Sequence, residues 1–478
     1  MTGIDLVVMA AYFVAVIAIG GYFTRQQKDA ADYFLGGHSL PWWVVMLSIV
    51  ATETSALTVI SIPGVGARGD LTFLQLPLGY LIGRIGVAVW LLPGYFRGEQ
   101  DTAYARLESR FGAATRKSAS AVFMCIRALG DSVRVFATAI PLHIVTDLSI
   151  FWCVVIVAAA TLAYTWAGGI KAVIWVDAMQ MALYVVAGIA AILVAARLSG
   201  GLGTTLGSAL AEGKLRAIDW QFSFSQTYTF AGGVVGGALL SAASHGTDHL
   251  IVQRLLATRA LRDARKALVG SGILVIIQFA MFLIVGTFLW AAGADDGTMA
   301  GDEIFASFVV HQLPVGLSGL VIAGIFAAAM STVSSSLNSL ASAATHDFYA
   351  PLTGQTDTQH LLRVGRWATL GWALILVGGA LSFGSPDQPV VELALSITSI
   401  TYGGLLGVFI LGEIDDRARQ LDAIASIVVA TVTMLIVVFA KPGPFAHLAW
   451  PWYVPMGTVI AVGTGWVSSK ILGGEQRV

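Results

Sequence analysis

The sequence contains few charged residues and almost no cysteine. Only 12% of its 478 residues are charged and 56% are hydrophobic, with a mean hydropathy of +0.79. This composition excludes an ordinary soluble globular protein and is typical of a protein that crosses a lipid bilayer many times. The two cysteines, Cys125 and Cys153, both lie in apolar segments, which argues against a disulfide framework and against a metal or redox motif.

Several functional motifs are also absent. The formal net charge of -1 gives no reason to expect a nucleic-acid partner. Glycine-rich nucleotide loops and a nucleophile elbow are missing, so ATP-driven transport and catalysis have no chemical basis in the sequence. We therefore predict a protein that is not an enzyme, uses no organic cofactor and shows no sign of an obligatory protein partner.

Hydrophobic segments of membrane-spanning length recur along the whole chain. Segments of roughly 17 to 25 apolar residues are long enough to cross a bilayer as helices. The sequence predicts about 13 such helices in an all-α fold, near 4–23, 41–65, 71–95, 118–143, 150–166, 173–197, 225–247, 268–292, 316–342, 362–382, 390–410, 421–440 and 452–471.

The basic residues between these helices predict the orientation in the membrane. Alternate connections hold nineteen lysines and arginines on one side and five on the other, with three arginines inside spans. Because basic loops are retained in the cytoplasm, we expect a multi-pass protein of the plasma (inner) membrane with its N-terminus outside and its C-terminus in the cytoplasm.

Two of the predicted helices look interrupted. The second carries a carboxylate, Glu53, in a polar stretch halfway across the membrane, where it must face a cavity, a cation or a partner charge. The seventh contains Gly232, Gly233, Gly236 and Gly237, which favour close helix packing, followed by the run 244–248, which favours a local break. The two spans are five apart, as expected for inverted repeats whose first helices are broken at the site.

The ninth predicted helix carries a stripe of hydroxyl side chains. Ala328, Ser331, Thr332 and Ser335 share one helical face, so carbonyl and hydroxyl oxygens converge at one depth. Hard oxygen ligands of this kind suit a small alkali cation. In the alternative interpretation, the serines only hydrogen-bond to carbonyls of the preceding turn.

Several sequence motifs follow one another along the chain. They are Asp32–Gly37 before Pro41–Trp43, Leu107–Gly112, Gly168–Gln180, Thr247–Asp248 before Val252–Leu255, and the hydroxyl stripe followed by Asp347–Tyr349. In this order they make the chain resemble the solute:sodium symporter family, which includes sodium/glucose, proline, sialic acid and monocarboxylate transporters. The resemblance implies a single transporter domain over 1–478 with a LeuT-type core of ten helices. An extra N-terminal helix and loop would occupy residues 4–40. The spans of the core would occupy 41–172 and 173–410, with inverted repeats near 41–198 and 225–410. Two C-terminal helices would occupy 411–478.

The resemblance also implies ligands for sodium, the expected coupling ion. The first sodium site would use the carbonyls of Ala51, Thr54 and Ala328 and the hydroxyls of Ser331 and Thr332. A second sodium, present in some relatives, would bind Asp177, Ser334 and Ser335 together with Ser331. For Asp177 the alternative role is a buried ion pair or a helix cap.

The solute of the family binds at the midplane beside the broken second helix. Position by position this points to Glu53, Ser55, Thr58, Phe73 and Gln75, with Asp131, Arg134 and His245 as further candidates. Glu53 replaces an uncharged residue of many relatives. It could bind a hydroxyl-rich or cationic group, carry a proton, or pair with Arg84, Arg127 or Arg134. A zwitterion held between Glu53 and Arg134 and a neutral polyol are both alternatives for the solute. The residues Arg127, Asp131 and Arg134 lie on one helix face and could simply form a salt-bridge ladder.

These predictions together favour a sodium-coupled secondary active symporter that imports a small polar organic solute by alternating access. In one alternative the fold is the same but Glu53 or Asp177 carries a proton instead. In another the protein is a transporter-like sensor that binds solute without moving it.

Overall fold

The structure is a computed structural model that describes residues 2–24, 27–98, 100–146, 148–295, 297–382 and 390–472. Within these ranges it is helical throughout, and its only β feature is an isolated bridge between Leu40 and Thr258. Two of the basic residues counted above, Arg25 and Arg477, and the last residues of the predicted domain lie outside the described residues.

The first half of the chain forms ten helices. Their bounds are α1 Gly3–Thr24, α2 Ala30–Leu35, α3 Trp42–Glu53, α4 Ala56–Arg68, α5 Gln75–Gly86, α6 Leu92–Tyr95, α7 Ala105–Phe111, α8 Ala113–Thr146, α9 Ile150–Leu198 and α10 Leu202–Ala211. A π-helical turn, Val87–Leu91, joins α5 to α6, so that the predicted third span is helical to its end.

The second half forms ten more helices. Their bounds are α11 Gly237–Gly246, α12 His249–Leu256, α13 Leu261–Ala291, α14 Gly301–His311, α15 Leu317–Ala343, α16 Ala350–Thr353, α17 Thr358–Ser382, α18 Val390–Ile414, α19 Gln420–Leu435 and α20 Tyr453–Leu472. Further π-helical turns precede α11 at Gly232–Gly236, connect α15 to α16 at Ala344–Tyr349 and extend α19 at Ile436–Ala440.

Helices cover all thirteen predicted spans, although some ends differ. By length and hydropathy, eight helical segments of the described chain could cross a membrane, or nine when the bent pair α3 and α4 counts as one span. The predicted seventh span becomes helical only at Phe230, five residues later than expected. The spans predicted over 150–166 and 173–197 are assigned to one helix, α9, which is divided at Gly169.

Gly169 permits this division because of its backbone conformation. Its φ of 56° and ψ of -157° lie in a region that side chains with a Cβ rarely adopt. A Cβ at this position would also lie 2.6 Å from the carbonyl oxygen of Tyr33 in α2. The glycine therefore both turns the chain and lets α2 approach closely.

The predicted break in the second span is present and separates α3 from α4. Thr54 and Ser55 have extended backbone, with ψ values of 96° and 167°, and the two halves are bent by 66°. The seventh span is broken as well, at Thr247 and Asp248, and the Asp248 side chain caps α12 by accepting the N–H of Leu250 at 2.9 Å.

Glycines bring the backbones of α5 and the seventh span together, as predicted. A Cβ on Gly233 would lie 2.8 Å from the Cβ of Gln75, and one on Gly79 would lie 2.5 Å from the carbonyl oxygen of Val234. A Cβ on Gly237 would overlap the carbonyl of Leu76. Contacts this short require glycine, which explains the glycine run by close packing.

Helix α15 is buried along most of its length and packs mainly against α9, α8, α1 and α17, with further contacts to α3, α4 and α12, whereas only five residues of α1 are buried. The charge count needs one correction, because Arg254 was assigned to a cytoplasmic connection but lies fully buried in α12. Without Arg254 the connections still hold eighteen basic residues against five, so the predicted asymmetry remains.

Candidate functional site

The predicted first sodium residues lie at the end of α3 and in the middle of α15, two helices that contact each other. Ala51, Thr54, Ala328 and Ser331 are at most 1% exposed, and Thr332 is 2% exposed. The Thr332 hydroxyl lies 3.3 Å from the carbonyl oxygen of Thr52 in α3 and 3.3 Å from that of Ala328 in its own helix. The structure thus brings carbonyl and hydroxyl oxygens from both helices into one buried region.

The break after α3 explains why carbonyls are available there. The N–H and the hydroxyl of Thr54 both donate to the carbonyl of Val50, at 2.9 and 2.7 Å, and so end the helix. Carbonyls in the last turn of a helix have no partner within the helix. Gln278 in α13 donates to the Thr54 hydroxyl at 2.5 Å and holds the break in place. The carbonyls of Ala51 and Thr54 therefore lie outside the regular helical hydrogen-bond pattern.

Arg254 contacts two of the four residues predicted for a second sodium, Asp177 and Ser335. Its guanidinium lies 3.2 Å from Asp177 and also donates to the Ser335 hydroxyl. Both ionic groups are fully buried, and Asp177 also accepts from Ser48 and from Ser331, each at 2.6 Å. The buried ion pair considered as an alternative for Asp177 is present.

The hydroxyls of Ser334 and Ser335 contact their own helix. They donate to the carbonyl of Ser331 at 3.0 and 2.6 Å. This is the hydrogen bonding to the preceding turn that was left open for these serines. Ser335 has a further contact with Thr52 at 3.0 Å, so it also links α15 to the broken span.

A cavity of about 130 Å³ lies beside this region, next to the break in the second span. Six of the eight predicted solute residues line it, namely Glu53, Ser55, Thr58, Phe73, Arg134 and His245. The structure places Gln75 and Asp131 elsewhere. Gln75 is fully buried and bonds to the carbonyls of Thr72 and Tyr228, and Asp131 lies behind Arg134.

Glu53 pairs with Arg84, one of the three arginines considered for it. Arg84 in α5 is fully buried and donates to Glu53, to Ser271 at 2.7 Å and to Ser241 at 3.4 Å. The Glu53 side chain retains 19% of its surface, whereas that of Arg84 has none. The Glu53 carboxylate therefore lines the cavity, while the Arg84 guanidinium, which does not line the cavity, neutralises its charge.

The salt-bridge ladder on α8 is also present. Asp131 lies 2.6 Å from Arg134 and 3.6 Å from Arg127, and it accepts from the Ser336 hydroxyl. Arg127 in turn pairs with Asp248, the residue that caps α12. Arg134 keeps 19% of its side-chain surface and is the more exposed arginine of the two.

Some lining residues were not predicted from the sequence. Tyr80, Phe279, Thr398 and Tyr402 contribute aromatic and hydroxyl groups from α5, α13 and α18. They lie on long apolar helices where a single aromatic or threonine gives no signal of its own. Arg254 could have been found, since it stands in an otherwise apolar stretch, 250–256, with one glutamine.

The comparisons with known proteins agree with this architecture. The family model described as the sodium:solute symporter family matches residues 33–440. The sodium/sialic acid symporter NanT of Aliivibrio fischeri is 30% identical over 98% of this chain and 93% of its own length. The sodium-coupled monocarboxylate transporter 2 of Bos taurus is 26% identical over 95% of this chain and 75% of its own length.

A solved structure is similar over nearly the whole chain. It is a Na+-coupled sialic acid symporter in a substrate-bound, outward-open state, with a TM-score of 0.88 and 25% identity over 98% of both chains. The fold and the buried oxygen-rich junction thus define a multi-pass, sodium-coupled membrane transporter of the LeuT type. The chain belongs to the sodium:solute symporter family, sodium is its coupling ion and it functions in sodium-coupled symport.

Proposed function

We propose that this chain imports a small polar organic solute with sodium by alternating access. Sodium binds at the junction of α3 and α15, through Ala51, Thr54, Ala328, Ser331 and Thr332, and the solute binds in the adjacent cavity. The observation that carries the proposal is the contact of Thr332 with the carbonyl oxygen of Thr52, because it joins the broken span to the hydroxyl stripe.

Sodium binding and solute binding are coupled through α3 in this proposal. Thr52 and Glu53 line the cavity, and Ala51 and Thr54 flank them in the same broken segment. An ion that orders the end of α3 therefore also positions the cavity wall. By thermodynamic linkage the solute must then increase the affinity for sodium by the same factor.

Arg134 is the proposed anchor for a carboxylate of the solute. Its guanidinium is held at 2.6 Å by Asp131 but retains surface in the cavity, so it can donate to a second carboxylate. Relatives named for sialic acid and for monocarboxylates act on acids, which supports an acidic group in this solute as well.

A second sodium at Asp177, Ser334 and Ser335 is a further proposal and carries a condition. Arg254 contacts Asp177 and Ser335, so the guanidinium must withdraw before an ion can replace it. Measuring the charge moved per solute in proteoliposomes, after subtracting the charge of the solute itself, distinguishes one sodium from two, since each ion adds one elementary charge.

The orientation and the repeat boundaries belong to the same proposal. The N-terminus lies outside, the C-terminus in the cytoplasm, and the repeats occupy about 41–198 and 225–410. Single cysteines introduced into the connections at Gln355 and at Thr298 should react with a membrane-impermeant maleimide only from the inside and only from the outside, respectively. Labelling of either site from the wrong side would contradict this orientation.

Uptake into proteoliposomes tests the transport proposal directly. An inward sodium gradient at constant pH should drive uptake, and replacing sodium by potassium should abolish it. The double substitution Ser331→Ala and Thr332→Ala should remove the sodium dependence while the protein stays folded. Uptake that follows a proton gradient without sodium would favour the proton-coupled alternative, and sodium-dependent binding without uptake would favour the sensor.

A further inference from the structure

One arginine of α17 has no counter-charge among the described residues. Arg366 forms no ion pair with them, and none of its nitrogen atoms has a hydrogen-bond partner there. Its Nε atom is buried, whereas its two terminal nitrogens keep accessible surface. The apolar part of α17 is only 28% buried, so this helix faces the lipid. A cation without a partner is costly at the edge of a bilayer, which favours an anion supplied from outside the chain.

Two aromatic rings hold the guanidinium of Arg366 in place. Its central carbon lies 5.6 Å from the ring centroid of Trp166 in α9 and 5.9 Å from that of Tyr33 in α2. Tyr33 is fully buried, and its hydroxyl lies 3.3 Å from that of Thr369. Cation–π contacts with fixed rings restrict the guanidinium, which lowers the entropy cost of binding a ligand to its terminal nitrogens.

The carboxylates of the neighbouring helix α2 have other partners. Asp32 pairs with Lys171 at 3.2 Å, and Asp29 accepts the N–H of Asp32 at 2.8 Å. One turn before Arg366, the exposed Arg363 also has no ion pair within the described part of the chain. Residues three apart lie on the same face of a helix. This face of α17 therefore carries two positive charges that the described carboxylates do not neutralise.

The position of Arg366 along α17 corresponds to the depth of lipid phosphates. No charged residue occurs between Trp367 and Ser382, so Arg366 is the last charge before the apolar part of the helix. Trp166 is 45% exposed and Trp367 is 72% exposed, and exposed tryptophans concentrate at the membrane–water interface. Basic side chains between helices at this depth bind the phosphates of lipid headgroups.

We propose that Arg366 and Arg363 form a binding site for an anionic phospholipid, whose phosphate binds the guanidinium held between Trp166 and Tyr33. Two unneutralised positive charges favour a headgroup with a net negative charge over one in which an ammonium balances the phosphate. The inference concerns the lipid-facing surface of α17 and is independent of the proposed sodium and solute sites.

Native mass spectrometry of the purified protein tests this site. The protein is titrated with phosphatidylglycerol or with phosphatidylcholine of identical acyl chains, and the dissociation constant of each lipid is measured. A basic residue near the membrane surface changes the affinity for an anionic lipid by roughly fivefold. Two such residues should therefore make phosphatidylglycerol bind about 25-fold more tightly than phosphatidylcholine.

Three variants assign this preference to the two arginines. Arg366→Gln or Arg363→Gln should each reduce the preference to about fivefold, and the double variant should remove it. Arg363 is exposed, so its replacement tests the site even if Arg366→Gln impairs folding. Arg262→Gln is the matched control, because Arg262 in α13 is exposed and has no ion pair with a described residue. This control should leave the preference unchanged.

Equal affinity for the two lipids in the unmodified protein would overturn the inference, as would an unchanged preference in any folded variant of Arg366 or Arg363. An equal loss in Arg262→Gln would also overturn it, because the preference would then reflect only the total charge. Inorganic phosphate offers the same oxyanion without acyl chains and should not displace phosphatidylglycerol. Displacement of the lipid by phosphate would assign the site to a soluble anion and refute the assignment to a lipid.

Discussion

Replacing Thr332 with valine separates sodium binding from folding. Valine has nearly the shape of threonine and removes only the hydroxyl. Both contacts of this hydroxyl, to the carbonyls of Thr52 and Ala328, are 3.3 Å long and slightly exceed the usual range for a hydroxyl donor. Their loss should therefore lower the sodium-free stability by less than about 1 kcal/mol.

The effect on sodium affinity should be larger. An interaction with a charged group contributes about 1.5–3 kcal/mol, and about 1.4 kcal/mol corresponds to a tenfold change in affinity. The variant should then bind sodium roughly 10- to 100-fold more weakly. At a sodium concentration of about 100 times the original dissociation constant, stabilisation by sodium should fall from about 2.7 kcal/mol to about 0.4–1.4 kcal/mol.

Thermal unfolding at varied sodium, with potassium added to constant ionic strength, measures this change. Thr345→Val is the matched control, because Thr345 is also buried and its hydroxyl donates to the carbonyl of Ala341 at 2.7 Å. Thr345 lies two residues beyond the end of α15, away from the proposed sodium ligands. The control should lower stability equally with and without sodium. The reasoning is refuted if Thr332→Val has the same sodium midpoint as the unmodified protein, or if the control changes that midpoint as much.

Three further predictions concern the ion pairs and the backbone. Asp177→Asn should destabilise the protein by about 3–5 kcal/mol in chemical or thermal unfolding, because it leaves the fully buried Arg254 without its counter-ion. Adding Arg254→Met should recover much of this lost stability. Arg84→Met should impair folding more than the pair Arg84→Met with Glu53→Gln, as judged by the yield of monodisperse protein, and equal yields would contradict the pairing. Gly169→Ala should cost about 1–3 kcal/mol for its backbone conformation alone, and an unchanged unfolding temperature would exclude the strain.

The fold could be predicted well because long apolar segments identify membrane-spanning helices directly from the sequence. The break around Glu53 followed from a carboxylate that no lipid-facing helix tolerates, and the structure confirms extended backbone at Thr54 and Ser55. The divided helix α9 shows the limit of this reasoning. A glycine between two apolar segments predicts a turn, but not that Gly169 also makes room for Tyr33.

The site could be predicted only in part. A side chain that pairs with a residue on another helix has no feature in its own stretch of sequence that identifies this partner. The sequence suggested three arginines for Glu53 but could not choose Arg84, since the choice depends on how α5 packs against α3. Arg254 resembled a loop residue because α12 is only eight residues long and follows a break. Gln75 was expected to contact the solute. Its amide instead hydrogen-bonds to the backbone of Tyr228 and Asp219, in the connection before the helical part of the seventh span.

The glycine contacts between α5 and the seventh span have a consequence for the transport cycle. Where two backbones touch without intervening side chains, sliding one helix by a residue would drive a carbonyl into a Cα, so this pair has no alternative register. We expect α5 and α11 to undergo any rearrangement as one rigid body. A disulfide engineered across this pair should leave turnover intact, and we expect hinge bending at Thr54–Ser55 and Thr247–Asp248, where the two broken spans leave the helical conformation.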